Sequence, residues 1–252
     1  MKDMLLQLRR GIQGAGPEVP WRLRDLGLAV AWVVVAFLFM MIPLGIVAVG
    51  VENIGDDAQT VANLGTGLFL YVALVGAVAW FSVRRYSCGW QVLGFRPAVG
   101  GRWWLPVALA VAFLVAAQLV WDLYVLTVDL LGIGGLVPES NVPQEMFDNP
   151  AILPLVAMVL IVAAPIAEET FFRGFLFSTL RVRWGVFWAA LASGLVFGAI
   201  HLNLGLLIPF TLIGMLLAYA YAFSGSLWTS ILGHLAFNTI GFVWAVVSGG
   251  GS

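Results

Sequence analysis

Apolar runs that approach or exceed 20 residues recur along this chain with only short polar connections between them, and that pattern decides what it can fold into. A helix of about 20 residues crosses the hydrocarbon core of a bilayer. In that medium a helix satisfies its own backbone polar groups, which an irregular segment cannot do. The expected fold is therefore all-α: a polytopic transmembrane helical bundle of about seven spans. A soluble fold would lack polar surface, since 62% of the 252 residues are hydrophobic and 10% are charged. The brief connections point to a single integral-membrane domain over residues 1–252.

Taken in order, the predicted spans cover about 26–51, 61–83, 103–131, 151–184, 186–202, 204–223 and 227–247. Before them lies a basic arm, residues 1–25, with Lys2, Arg9, Arg10, Arg22 and Arg24. Its apolar run starts only near Leu26 and is long enough to span, unlike the short core of a cleaved signal peptide. All 12 Lys and Arg residues fall in this arm, in the second connection or toward the end of the fourth span. The connections at 52–59 and 132–150 carry acids and no cation. The positive-inside rule then places the N-terminus in the cytoplasm and, with seven spans, the C-terminus outside. A net charge of -1 with no basic-aromatic strip argues against nucleic acid as a partner. The single cysteine, Cys88, excludes an intrachain disulfide and reads as a packing residue. Asp122 and Asp129 fall near the outer end of their span, and the 11 tryptophans suit an interfacial belt.

Ionisable groups inside an apolar span are costly and mark chemistry or pairing. The fourth span holds three of them, in A-A-P-I-A-E-E-T-F-F-R-G: Glu168, Glu169 and Arg173. Glu169 and Arg173 are four apart and share a helix face, whereas Glu168 is rotated from Glu169 by about 100°. One glutamate can pair with arginine while the other faces a cavity. The two histidines also lie in predicted spans, His201 in F-G-A-I-H with Phe197 on its face, and His234 in H-L-A-F-N with Asn238 on its face. If the fourth and fifth spans turn at Arg183-Trp184-Gly185, Glu168 and His201 lie level, each roughly 22–24 Å from the turn. His234 lies only about 12 Å along its own helix, so that hairpin must overhang the last helix by about 10 Å on the cytoplasmic side. The site would then sit nearer the cytoplasm. Pro165, lacking an N–H, is expected to free a carbonyl just before the glutamates.

Glu168-Glu169-Thr-Phe-Phe-Arg173, Phe197 to His201 and His234 to Asn238 occur in that order. They resemble the motifs of the CPBP, or ABI, family of CAAX-processing and bacteriocin-processing intramembrane endopeptidases. Leu93 to Pro97, L-G-F-R-P, is similar to a stretch common in bacterial members. The resemblance covers a family-like catalytic core over about 150–245, and the first three spans match in character only. It implies a four-helix catalytic core in a membrane-embedded cavity, in a prokaryotic cytoplasmic membrane. It also implies that Glu168 and His201 activate water, that His234 and Asn238 stabilise the oxyanion, and that Glu169 and Arg173 organise the site.

Peptide hydrolysis needs a base matched to the working pH and donors aimed at the developing oxyanion, and these residue types supply both. The substrate implied is a membrane-associated peptide or protein, with no cofactor. Zinc is the alternative, because Glu168, His201 and His234 would make a two-His, one-Glu set with room for water. No H-E-x-x-H motif is present. A non-proteolytic membrane binding or bacteriocin-immunity protein of the same fold is the other alternative. An ion-coupled transporter is disfavoured, since no inverted repeat is visible and the ionisable groups converge on one depth.

Overall fold

The computed structural model describes residues 19–50, 56–139, 142 and 145–247, all helix, turn and loop with no strand. Lys2, Arg9 and Arg10 of the basic arm, Glu52 in the first acidic connection and the S-G-G-G-S end lie outside the described residues. Six helical runs among them are long and apolar enough to cross a membrane. They are α1 (Leu23–Gly50), α2 (Asp56–Val78, wound on as a π turn over Ala79–Arg84), α3 (Leu105–Leu131), α4 (Leu153–Ala199), α5 (Leu204–Ser224) and α6 (Leu227–Val247). The chain is a polytopic membrane bundle, as its apolar runs require.

At 47 residues α4 is too long for one crossing, and it is not one rod. Gly185 takes φ 73°, ψ 175°, open to glycine at little cost, and folds the run into two antiparallel arms. The Phe172 and Phe197 rings meet edge to face with centroids 5.4 Å apart, and the Ser193 hydroxyl donates to the Phe172 carbonyl at 3.0 Å. Six runs thus make seven rods. The second arm differs from expectation at its far end: it stops at Ala199, so His201 lies in the following turn and not inside a helix. Asn203 is the reason. Its side chain accepts from the backbone of Gly205 and Leu206 and so caps the start of α5, while Leu202 turns the chain with a left-handed φ of 52°.

Glycines let the second arm and α5 touch. A Cβ on Gly194 would meet the Thr211 carbonyl oxygen at 2.5 Å, and one on Gly198 the Leu207 carbonyl oxygen at 2.6 Å. Gly194 and Gly198 are four apart, the small-xxx-small spacing that brings membrane helices together where water gives no hydrophobic drive. The close crossing also carries the Gly214 carbonyl to Arg173.

Segment 89–104 reaches into the bundle. Leu93 is fully buried beside Gly174, and the Gly94 carbonyl accepts from the Leu227 N–H at 2.7 Å. Arg96 donates to the Gly225 carbonyl at 2.9 Å, and Ser226 donates back to the Arg96 carbonyl at 2.6 Å. These bonds set where α6 begins. Since Gly174 also lies against Leu227, the hairpin extends ten residues, about 15 Å, past the start of α6 to Trp184. The overhang that the spacing demanded is present. Trp21 is buried and donates to Thr179 at 2.8 Å, and Asp25 pairs with Arg85 at 3.2 Å, so residues 19–25 are bound to the same end of the bundle.

Candidate active site

Both glutamates sit on one α-helical turn, Ala164–Glu169, bracketed by π-helical stretches at Met158–Ala163 and Thr170–Phe177. Such wide turns recur at functional sites because they re-aim side chains. Pro165 accounts for one of them. The Ala164 N–H bonds to the Val159 carbonyl, five residues back, and Pro165 has none to give. The Leu160 carbonyl is left without a helical partner, and the Asn238 side-chain amide donates to it at 2.8 Å. The orphaned carbonyl is one residue earlier than the α-helical spacing predicts, because the register there is π.

Glu169 is the hub. Its Oε1 accepts from Arg173 Nη1 at 2.7 Å and pairs with His234 Nδ1 at 2.8 Å. Arg173 also donates to the Gly214 carbonyl at 3.0 Å, and its guanidinium lies 4.7 Å from the centre of the Phe197 ring. Glu169 and Arg173 have no exposed surface, so each charge is offset inside the protein or not at all. On the other side of the imidazole, His234 Nε2 faces Glu168 Oε2 at 3.8 Å. The 100° offset between the glutamates thus becomes a division of partners: Glu169 takes the arginine, and the two carboxylates flank one histidine. Sequence reasoning missed one neighbour: α2 packs against the turn Ala164–Glu169 that carries both glutamates.

His201 Nδ1 lies 2.8 Å from the Phe197 carbonyl, an acceptor, so that nitrogen carries the proton and Nε2 keeps its lone pair. The Phe197 ring touches both imidazoles, at 5.1 Å from His201 and 5.7 Å from His234. The hairpin register places His201 level with Glu168. Phe197 thus separates the histidines and roofs Arg173. Among the described residues no three His, Cys, Asp or Glu side chains are arranged to hold one metal ion.

Glu168, Glu169, Arg173 and His234 therefore form one connected cluster, His201 joins it across Phe197, and Asn238 braces the main chain that leads into it. The level of the cluster follows from α3, where Phe113 lies against Gly233. Phe113 is 8 residues, about 12 Å, from the start of α3 beside Arg102 and 18 residues, about 27 Å, from its other end. Along this helix the site is nearer the arginine-bearing end.

Comparison with known proteins agrees with this region. A family described as "Type II CAAX prenyl endopeptidase Rce1-like" matches residues 150–240. The chain is 34% identical over 105 residues to "Putative membrane peptidase YdiL" of Bacillus subtilis (strain 168), which is 42% of this chain and 43% of that protein. It is 31% identical over 168 residues to "Uncharacterized 24.3 kDa protein" of Escherichia coli, 64% of this chain and 71% of the relative. No solved structure matches the chain. The matched interval holds every polar group of the cluster, on a bundle of membrane-length helices, and the chain belongs to the Rce1-like CPBP family of membrane proteins.

Proposed function

We propose that the protein is an intramembrane endopeptidase that hydrolyses a peptide bond of a membrane-associated protein or peptide. One observation carries the reading: in an apolar bundle, one histidine is held through Nδ1 by a buried carboxylate and turns Nε2 toward a second carboxylate. The Glu169 carboxylate holds His234 through Nδ1, so that the ring, when it carries both protons, turns Nε2–H toward the site as a donor. Glu168 is the base that takes a proton from water, and the Nε2 lone pair of His201 holds that water against the carbonyl carbon. As the tetrahedral intermediate forms, His234 Nε2–H and the second amide hydrogen of Asn238 donate to the oxyanion, and Glu168 returns its proton to the leaving amine. Arg173 stays bonded to Glu169 throughout and holds that carboxylate in place.

The test is the membrane proteome of cells expressing either the native chain or Glu168→Gln. Expected is a membrane protein that persists intact only with the variant; identical proteomes, together with an intact phenotype in Glu168, His201, His234 and Asn238 variants, would favour the non-proteolytic binding or immunity reading. Zinc is tested separately. Cleavage by purified protein survives exhaustive chelation in this mechanism, and loss that zinc restores would replace it with a metal mechanism.

The site is proposed to face the cytoplasm, with the N-terminus inside and the C-terminus outside. Asp57→Cys and Glu145→Cys should then react with an impermeant thiol reagent from outside intact cells. Protection of both positions would invert the topology.

A further inference from the structure

The end of the bundle that carries the arginines holds more positive charge than its acids can offset. Arginines of three segments, 22–24, 84–102 and 181–183, lie there, and among the described residues Asp25 is the one acid beside them. Asp25 is already engaged. It pairs with Arg85 and accepts from the Tyr86 hydroxyl at 2.6 Å and the Arg22 N–H at 2.8 Å. Arg181 is half-buried with its guanidinium 5.7 Å from the centre of the Phe177 ring, and it pairs with no acid among the described residues. Arg96 donates through Nε to the Gly225 carbonyl, which leaves the two Nη groups of its fork without a described partner. Tyr221 ties both arginines to one seam: its ring lies 6.1 Å from that of Phe177, and its carbonyl accepts from the Gly225 N–H at 2.8 Å.

One helical turn past Arg181, Trp184 opens a wholly apolar groove of about 370 Å³, lined also by Trp188, Leu191, Ala192 and Leu195. From Trp188 to Leu195 the groove runs about 10 Å along the second arm, leading away from the arginines. Trp188 is 60% exposed and Leu195 46%, on the outside of a membrane-length run, so the groove opens to hydrocarbon. Tryptophan at the junction of charge and apolar channel suits the level of the headgroups. We propose that Arg96, Arg181 and this groove form a binding site for an anionic phospholipid, with its phosphate at the guanidiniums and an acyl chain along Trp188 to Leu195. A guanidinium presents paired N–H donors that match phosphate oxygens. A zwitterionic headgroup would bring an ammonium to an end already in positive excess, so the net negative headgroup is selected. The site does not depend on the peptidase reading.

Native mass spectrometry of the delipidated full chain, titrated with phosphatidylglycerol or phosphatidylcholine, tests the site. Expected is phosphatidylglycerol binding about tenfold tighter than phosphatidylcholine. In Arg181→Gln that binding should weaken about tenfold, the size of one lost hydrogen bond between charged groups. Arg181 pairs with no acid inside the protein, so this variant should melt with wild type in lipid-free detergent. Leu195→Trp fills the groove and leaves every arginine in place; it should also weaken the lipid, and it carries the test if Arg181→Gln fails to fold. Equal affinity for the two lipids, or phosphatidylglycerol binding untouched by either variant, overturns the proposal. Inorganic phosphate that displaces the lipid would reassign the arginines to a free anion. A delipidated dimer that lipid fails to part would give the groove to a second copy of the chain, and either result removes the lipid site.

Discussion

Glu168→Gln lowers turnover of a membrane-embedded peptide by about 10²–10⁴, the range that a positioned general base contributes. The amide keeps the size of the carboxylate and can still face His234, so the bundle folds and substrate binds. Removing the proton acceptor leaves water without activation, while the donors on His234 and Asn238 stay in place. The measurement is single-turnover cleavage by purified protein beside a binding isotherm for the same peptide. A Glu168→Gln protein that cleaves at the wild-type rate would sink the mechanism, and one that neither binds nor folds would move Glu168 from chemistry to structure.

Arg173→Ala and Glu169→Ala destabilise the folded protein by about 3–5 kcal/mol, because each strands its partner as a buried, unpaired charge. Arg173→Ala also removes the donor from the carbonyl of Gly214, which lies against Gly194 where the second arm and α5 cross. Glu169→Ala frees His234 Nδ1 and leaves the imidazole only the longer 3.8 Å approach to Glu168. A variant with Leu at both positions should recover much of the loss in stability and none of the activity. Thermal melts in detergent decide the ranking. If Glu168→Gln proves more destabilising than either alanine variant, the assignment of roles to the two glutamates is reversed.

The helices were legible because apolar length and charge segregation are local properties. α5 and α6 fall within a residue of the predicted bounds. The hairpin and its overhang were legible from spacing, since a turn at Gly185 leaves little freedom once Glu168 and His201 must meet. The end of the second arm was not, because the cap at Asn203 competes with an apolar pattern that continues through Leu202. Pairing of Glu169 with Arg173 followed from four-residue spacing, but its simultaneous bond to His234 depends on how α6 docks, and that docking is set by main-chain bonds to Gly94 and Arg96. Asn238 was placed on the face of His234 correctly, but its bond to the Leu160 carbonyl requires a π register that no periodicity in the sequence announces. The packing of α2 on the turn Ala164–Glu169 stayed hidden because nothing local in an apolar helix names the helix it will meet.

One oxygen of Glu169 serves two helices, and this bears on how a polypeptide gets in. To part α4 from α6, the bundle must break the bond from His234 to a carboxylate that stays bound to Arg173, in a region with no exposed surface on either charged group. That seam is stiff. Amide hydrogen exchange along it should track global unfolding rather than local opening. On the peptidase proposal, entry falls to a helix pair not joined by a buried charge, and traffic and chemistry then take different walls of the same bundle.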